Sequence, residues 1–404
     1  MGLDQREIAY KCLLRIYKTE AFSNIALSEQ SAFVRRLVLG CIERRKTLEY
    51  IISCFARKAP DNDVALLLHT GIYQIMYMDI PDSAACDETT DIAKRIFGKN
   101  ISGFVNAIMR SVCRAKDDII TKIERSGDNI KYSLDNSICS MIRQSYPEQA
   151  DEIMSSFFGE KRLFARVNTI KTDALHVADL ICGEAIDKTT VECFDSALAV
   201  RHMDSGDYFI QGIGSQTAVK WLAAEPGMTV ADVCACPGGK TFGAAIDMQA
   251  DGVIYCSDIR QSKLPLIKKG AAKLGVDKCI SVSLRDARTT DESLAGKCDR
   301  VICDVPCTAL GEIISRPEIR YKDISRQSSL YNTQQSILEA SARLVKRGGR
   351  MIYSTCTLDK RENEDNIDAF LCKNSDFALL DSHLFMPHAD GCGEGFYIAL
   401  ITRR

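Results

Sequence analysis

Several features that decide a protein's class at a glance are missing from this chain of 404 residues. No apolar run approaches the ~18 residues of a membrane span, and no secretory apolar region stands near the start, so neither a span nor export is expected. The opening Met1-Gly2-Leu-Asp-Gln-Arg6 has arginine where a myristoylation signal needs serine or threonine, which removes that anchor as well. There are 18 cysteines but no C-x-x-C pair. Cys234-Ala-Cys236 is C-x-C, Cys298, Cys303 and Cys307 are irregularly spaced, and the five histidines are dispersed. These spacings argue against a zinc site, and thiols scattered through apolar segments of a long chain argue against a disulfide framework. Reduced thiols, no metal and a cytosolic, cytoplasmic setting are the expectation. Overall basicity is absent too: 52 Lys+Arg against 54 Asp+Glu leave a net charge of -2, so any nucleic-acid surface has to be local.

What is present begins with 46% hydrophobic residues, ample for the cores of two or three domains. The organising stretch is Asp232-Val-Cys-Ala-Cys-Pro-Gly-Gly-Lys-Thr241. The apolar run Thr229-Val-Ala-Asp-Val reads as a buried strand that breaks at Pro237-Gly-Gly into the first turn of a helix. Two glycines let backbone approach a ligand closely, and free N–H groups at a helix start point toward it. A phosphate-binding loop is excluded, because Cys234 stands where its first glycine belongs, and the G-x-G-x-x-G of a dinucleotide site is also missing. S-adenosylmethionine remains as the nucleoside ligand for such a turn, with a ligand-free glycine-rich helix entry as the open alternative for this loop taken by itself.

Along the chain, residues 1 to about 125 carry helical periodicity throughout, with helices expected at 8–17, 31–40, 47–56, 64–77, 82–97 and 103–114. The segment from Val64 to Tyr77 is apolar almost all round and should sit centrally. Arg35, Arg36, Arg44, Arg45, Lys46, Arg110 and Arg114 could form an RNA-facing surface or ordinary solvated helix faces. The polar stretch Lys122–Asn136 reads as a linker, Phe164–Ile170 as a strand, Thr172–Ile181 as a helix and Val191–Arg201 as further strands. From Thr229 onward strands and helices alternate, which predicts a parallel sheet with helices on both faces. Its second strand ends at Asp258, where a ribose hydroxyl is usually held, its third at Asp286, placed to face adenine, and its fourth at Asp304.

Asp304-Val-Pro-Cys307 and Ser354-Thr-Cys356 close the fourth and fifth strands, which normally lie side by side beyond the first. Two thiols on adjacent strands, ~4.8 Å apart, can reach one planar substrate beside a cofactor. Buried structural thiols are the usual fate of cysteine, and the joint placement is what favours chemistry. Carbon 5 of cytosine is too weak a nucleophile to take a methyl group until a thiolate has added at carbon 6. That step calls for a cysteine of lowered pKa and a group, here Asp304, that supplies a proton or hydrogen bond to N3. A second thiol suits the later release.

Ile72-Tyr-Gln-Ile-Met-Tyr, Ile80-Pro-Asp-Ser-Ala-Ala and Phe104-Val-Asn-Ala-Ile-Met-Arg110 resemble the NusB-type RNA-binding domain. The glycine-turn stretch, Asp-Val-Pro-Cys307, Arg316-Pro-Glu-Ile-Arg-Tyr321, Tyr-Ser-Thr-Cys-Thr-Leu and then Glu362-Asn363 resemble the Sun (also called Fmu) group of RNA cytosine-5 methyltransferases. The resemblance implies a NusB-like helical domain (1–130), a small α/β connector (131–205) and a Rossmann-like α/β S-adenosylmethionine-dependent core (206–404). It implies Cys356 as nucleophile, Cys307 assisting release, Asp304 as a third catalytic residue, and cofactor contacts from Cys234, Ala235, Cys236, Pro237, Gly238, Gly239, Lys240, Asp258, Asp286 and Asp304. The expected partner is small-subunit ribosomal RNA, met by a monomer with no membrane attachment. One departure stands out: the group usually reads Asp-Ala-Pro-Cys-Ser-Gly, whereas here Thr308-Ala309-Leu310 precede Gly311, so the loop behind Cys307 lacks a glycine's freedom. Two rivals are an amino-methyltransferase, which favours Asn/Asp-Pro-Pro-aromatic where this chain has Asp-Val-Pro-Cys, and a ribosome-assembly or antitermination factor with a silent core.

Overall fold

The computed structural model describes residues 4–19, 27, 29–160, 162–389, 391 and 393–404; Met1–Leu3 of the myristoylation reading lie outside it. By packing, the chain divides into one unit reaching to Phe158 and including Ser315–Ser325, and a second made of Gly159–Ile314 and Arg326–Arg404. Among the described residues no helix is long and apolar enough to cross a membrane.

The first unit is all helical. Helices run over Gln5–Thr19, Ala32–Glu43, Arg45–Phe55, Asn62–Tyr77, Asp82–Phe97 and Lys99–Arg114. Asn62–Tyr77 is buried continuously from Leu66 to Ile75, as its all-round apolar pattern requires. The expected linker is not one. Within Lys122–Asn136 a helix ends at Glu124, a short helix spans Asp128–Lys131, and Tyr132, Ser133 and Leu134 are buried. Its polar composition hides paired charges: Arg143 binds Asp128 at 2.8 Å and Asp151 at 2.7 Å. The basic residues also divide. Arg44 lies over the rings of Tyr77 and Phe158, Arg45 pairs with Glu49 at 2.9 Å and Lys46 with Asp135 at 3.3 Å, while Arg35, Arg36, Arg110 and Arg114 stay exposed. Ser315–Ser325 packs with these helices through Arg320 and Tyr321, whose phenol donates to the Ile42 carbonyl and accepts from the Arg45 N–H at 3.0 Å.

The second unit holds two sheets. Strands β1 (Leu163–Val167), β2 (Gly183–Asp187), β3 (Thr190–Cys193) and β4 (Tyr208–Ile210) form an antiparallel sheet in the order β2-β3-β1-β4. The strand reading of Val191–Arg201 holds only to Cys193; Asp195 then caps a helix over Ser196–His202 by accepting from the Ala197 and Leu198 N–H groups. The larger sheet comprises β5 (Thr229–Asp232), β6 (Val253–Asp258), β7 (Ile280–Leu284), β8 (Cys298–Asp304), β9 (Val345–Thr355), β10 (Phe377–Phe385) and β11 (Phe396–Arg403), in the order β10-β11-β9-β8-β5-β6-β7. The pairings among β5 to β9 are parallel, and β11 runs antiparallel to both β9 and β10.

Alternate residues explain the layers. Val230, Ile254, Ile302 and Ile352 pack on the helices Ile213–Leu222, Gly239–Asp247 and Leu264–Leu274. Ala231, Val301, Cys303 and Met351 face the opposite way, onto Ser328–Ala342 and Glu364–Lys373. Chain order reverses at β5, with β6 and β7 on one side and β8 and β9 on the other, which places a ligand crevice outside the carboxyl ends of these strands.

Candidate active site

At the end of β5 the chain turns through a cis Cys236–Pro237 bond and Gly238 at φ +113° before the helix begins at Gly239. A Cβ at Gly238 would be strained there and would lie 2.4 Å from the Phe242 ring, so only glycine fits. The first N–H groups of the helix have no intrahelical partner. The turn walls a cavity of about 290 Å³, lined by Cys234, Ala235, Cys236, Pro237, Gly239 and Lys240 together with Gln211, Asp232, Asp304 and Glu312.

Two groups on this wall have buried polar atoms that the protein itself does not satisfy. Both amide atoms of Gln211 and Oδ1 of Asp232 are buried without a hydrogen bond, and such atoms cost about 1–3 kcal/mol each when left unmet. The other Asp232 oxygen accepts from the Thr241 hydroxyl at 2.6 Å. Burial nevertheless pushes the Asp232 carboxyl up to about 7, against the Thr241 hydrogen bond and helped by the charge of Asp304. A carboxylate held this far from comfort favours a cationic ligand, and an amide beside a glycine turn suits polar atoms of that ligand. The aminoacyl end of S-adenosylmethionine, with its ammonium and sulfonium, meets both requirements.

Asp258 adjoins the turn, accepting from the Cys236 N–H at 3.3 Å and the Arg260 N–H at 2.9 Å. Asp286 is placed differently. It lines a separate cavity of about 210 Å³ with Ser257 and Ser283, and Arg288 grips its carboxylate at 3.0 Å, holding it below the usual carboxylate range.

The register of β8 on β9 sets Asp304 opposite Ser354, and the loops that follow bring Cys307 Sγ and Cys356 Sγ to 3.1 Å of each other. Beside them Lys240 Nζ lies 2.8 Å from Asp304 and donates to Ser215 Oγ at 3.2 Å, and Ser354 Oγ donates to Asp304 at 2.6 Å. Burial pulls the Lys240 ammonium down, but Asp304 outweighs it and the net shift is upward, so the lysine stays charged. Cys356 differs from the low-pKa thiol expected of a nucleophile. Its contact with the Cys307 thiol, and then its burial, hold it well above the ordinary thiol range.

The loop behind Cys307 shows what the missing glycine does. Ala309 adopts φ +63°, the left-handed region that glycine enters freely, and Gly311 sits so close to the chain that a Cβ would fall 1.7 Å from the Gly395 carbonyl oxygen. Gly311 also donates its N–H to the Cys356 carbonyl at 3.0 Å, which fastens one thiol loop to the other. Left-handed backbone costs an alanine ~1–2 kcal/mol, and glycine gives back ~0.5–1 kcal/mol through the unfolded chain. Ala309→Gly should therefore stabilise this unit by about 0.5–1 kcal/mol, seen as a raised urea midpoint at unchanged slope. An unmoved or lowered midpoint would show that the loop absorbs the strain elsewhere.

Asp232 was visible in the motif but carried no assigned role, because no pattern separates an acid that ends a strand from one left half-satisfied in a cavity. Gln211, Ser215, Ser354 and Glu312 give no signal beyond their proximity to recognised segments.

Comparison with known proteins gives the family and the fold. The 16S rRNA methyltransferase RsmB/F family profile matches residues 219–403, and the NusB family profile residues 3–114. A Bacillus subtilis protein named "probable ribosomal RNA small subunit methyltransferase B" is 30% identical over 403 residues, covering 92% of this chain and 89% of its own. The ribosomal RNA small subunit methyltransferase B of Pectobacterium carotovorum is 26% identical over 424 residues, covering 99% and 96%. The solved structure of PH0851 superposes with a TM-score of 0.80 at 21% identity, covering 100% of both chains, a likeness of fold. The chain belongs to the RsmB/F family of 16S rRNA methyltransferases, with a NusB-family region ahead of its Rossmann-like core, and S-adenosylmethionine is its cofactor.

Proposed function

We propose that this enzyme forms 5-methylcytosine in small-subunit ribosomal RNA, with Cys356 as the nucleophile. The observation that carries the reading is the convergence of Cys307 and Cys356, 3.1 Å apart, next to the Lys240–Asp304 pair. When bound, S-adenosylmethionine supplies an electrophilic methyl group. Cys356, as thiolate, adds to carbon 6 of the ring, and the electron pair released into the ring makes carbon 5 nucleophilic. Asp304 addresses N3. A carboxylate can only accept, so the proton that N3 gains is drawn from Lys240, 2.8 Å away. After transfer, Cys307, as thiolate, takes the proton from carbon 5, the Cys356–carbon 6 bond breaks with its electron pair returning to sulfur, and N3 gives its proton back to Lys240. The base has to leave its stack so that sulfur and methyl donor can approach it. The cofactor is read as lying along Cys234–Lys240 with Asp232 and Asp258; Asp286 enters that reading from the family resemblance alone, since its carboxylate lines a separate cavity in the grip of Arg288, and the NusB-family region is read as the part that holds RNA.

Ribosomal RNA fragments containing 5-azacytidine test this, because that base blocks the final elimination. With S-adenosylmethionine the wild-type chain should give a denaturant-stable protein–RNA adduct whose peptide mass maps to Cys356. A map to Cys307 would reverse the two roles. Cofactor binding without adduct or methylation in any ribosomal RNA fragment, in a folded protein, would favour an assembly or antitermination factor with a silent core.

A further inference from the structure

We infer that Glu362 and Asn363 are positioning residues that set the spacing between the two thiols. The inference rests on the dithiol reading above and assigns the pair no contact with substrate. Both side chains are fully buried. The Glu362 carboxylate accepts from the Thr308 N–H at 3.0 Å, from the Thr308 hydroxyl and from Gln334 Nε2 at 2.7 Å. The same Gln334 nitrogen donates to the Pro306 carbonyl at 2.9 Å, so both neighbours of Cys307 are gripped through one carboxylate and one amide. Asn363 does the equivalent for Cys356: its oxygen accepts from the Thr355 hydroxyl and its nitrogen donates to the Thr357 carbonyl at 3.0 Å. Thr308 and Thr357 then meet hydroxyl to hydroxyl at 2.7 Å.

Two adjacent residues on one backbone thus hold the residues flanking each thiol, although 49 positions separate the cysteines themselves. Three donors converge on Glu362, which only an acceptor with several lone pairs can satisfy. An amide in its place would turn its own donors toward at least one of them. Glu362 is itself anchored, because the Tyr353 phenol donates to its carbonyl at 2.7 Å. Spacing held to a fraction of an ångström matters here, since a misplacement of about 1 Å can cost ~100-fold in rate.

A trivalent arsenical reads this spacing without any methyl transfer. Phenylarsine oxide condenses with two nearby thiols, forming two As–S bonds and releasing one water. In the full-length wild type it should bridge Cys307 and Cys356, scored as protection of both from alkylation by peptide mass. In Glu362→Gln and in Asn363→Asp, at wild-type melting temperature, bridging should slow about tenfold or more and kcat should fall about tenfold or more, at unchanged KM for S-adenosylmethionine. Cys86 and Cys113, with sulfurs 3.4 Å apart in the helical unit, are the internal reference and should behave alike in every variant. Wild-type bridging in both folded variants would overturn the inference, as would equal loss at the reference pair, which means general loosening. Normal bridging by a wild type that makes no 5-methylcytosine would instead count against the proposed function alone.

Discussion

Replacing Cys356 by alanine should abolish methyl transfer, by a factor on the order of 10⁴ or more, while Cys307→Ala should leave a covalent protein–RNA complex that accumulates on ordinary, unmodified RNA. The two outcomes differ because the proposed mechanism gives one thiol the bond to carbon 6 and the other only its cleavage. Cys356 is held above the ordinary thiol range, first by the Cys307 thiol and then by burial, so at neutral pH little thiolate exists and kcat/KM should rise about tenfold per pH unit from neutral into mildly alkaline solution. Lys240 keeps its proton over that range, since its own shift is upward. Removing Cys307 removes the largest cause of the Cys356 shift. Alkylation of Cys356 in Cys307→Ala should accordingly be faster at neutral pH than in the wild type, even as turnover stops. Slower alkylation, or methylation that survives Cys356→Ala, would remove Cys356 from the nucleophile's place.

The catalytic half was readable because an α/β sheet converts sequence order into position. Once β5 to β9 were recognised, the adjacency of β8 and β9 followed, and with it the meeting of Cys307 and Cys356. Other parts obey no such rule. The antiparallel pair β10 and β11 falls outside that rule: Phe377–Phe385 is mostly exposed between its ends and lacks a clean alternation, and Phe396–Arg403 is a buried apolar run whose direction and partner strand order alone does not give. Lys122–Asn136 looked like a linker because pairing of Arg143 with Asp128 and Asp151 is invisible to composition. Arg44, Arg45 and Lys46 counted as potential RNA contacts for the same reason, although stacking and ion pairs already occupy them. The raised thiol of Cys356 could not be foreseen either, because it depends on a contact between residues remote in sequence.

Within the family motif Arg316-Pro-Glu-Ile-Arg-Tyr321, Arg320 and Tyr321 tie the segment to the helical unit, and Arg320→Met should cost that unit about 2–6 kcal/mol. The Arg320 side chain is fully buried, donates to the carbonyls of Tyr132 at 3.0 Å and Phe157, and lies 4.4 Å from the centre of the Phe158 ring. Burial pulls its guanidinium down to about 10, still far above neutral pH, so the charge persists and relies on those partners. Methionine fills part of the volume but strands two buried carbonyls, each worth about 1–3 kcal/mol. Lysine keeps the charge as a single point and cannot reach two carbonyls and a ring at once, so Arg320→Lys should recover less than half of the loss. The full-length variants, followed by far-ultraviolet circular dichroism in urea, should lose stability in the transition of the helical unit. If Arg320→Met unfolds with the wild-type midpoint, the segment Ser315–Ser325 is held by its other contacts, among them the bonds of Tyr321 to Ile42, Ser133 and Arg45 and that of the Ile324 N–H to Ser137.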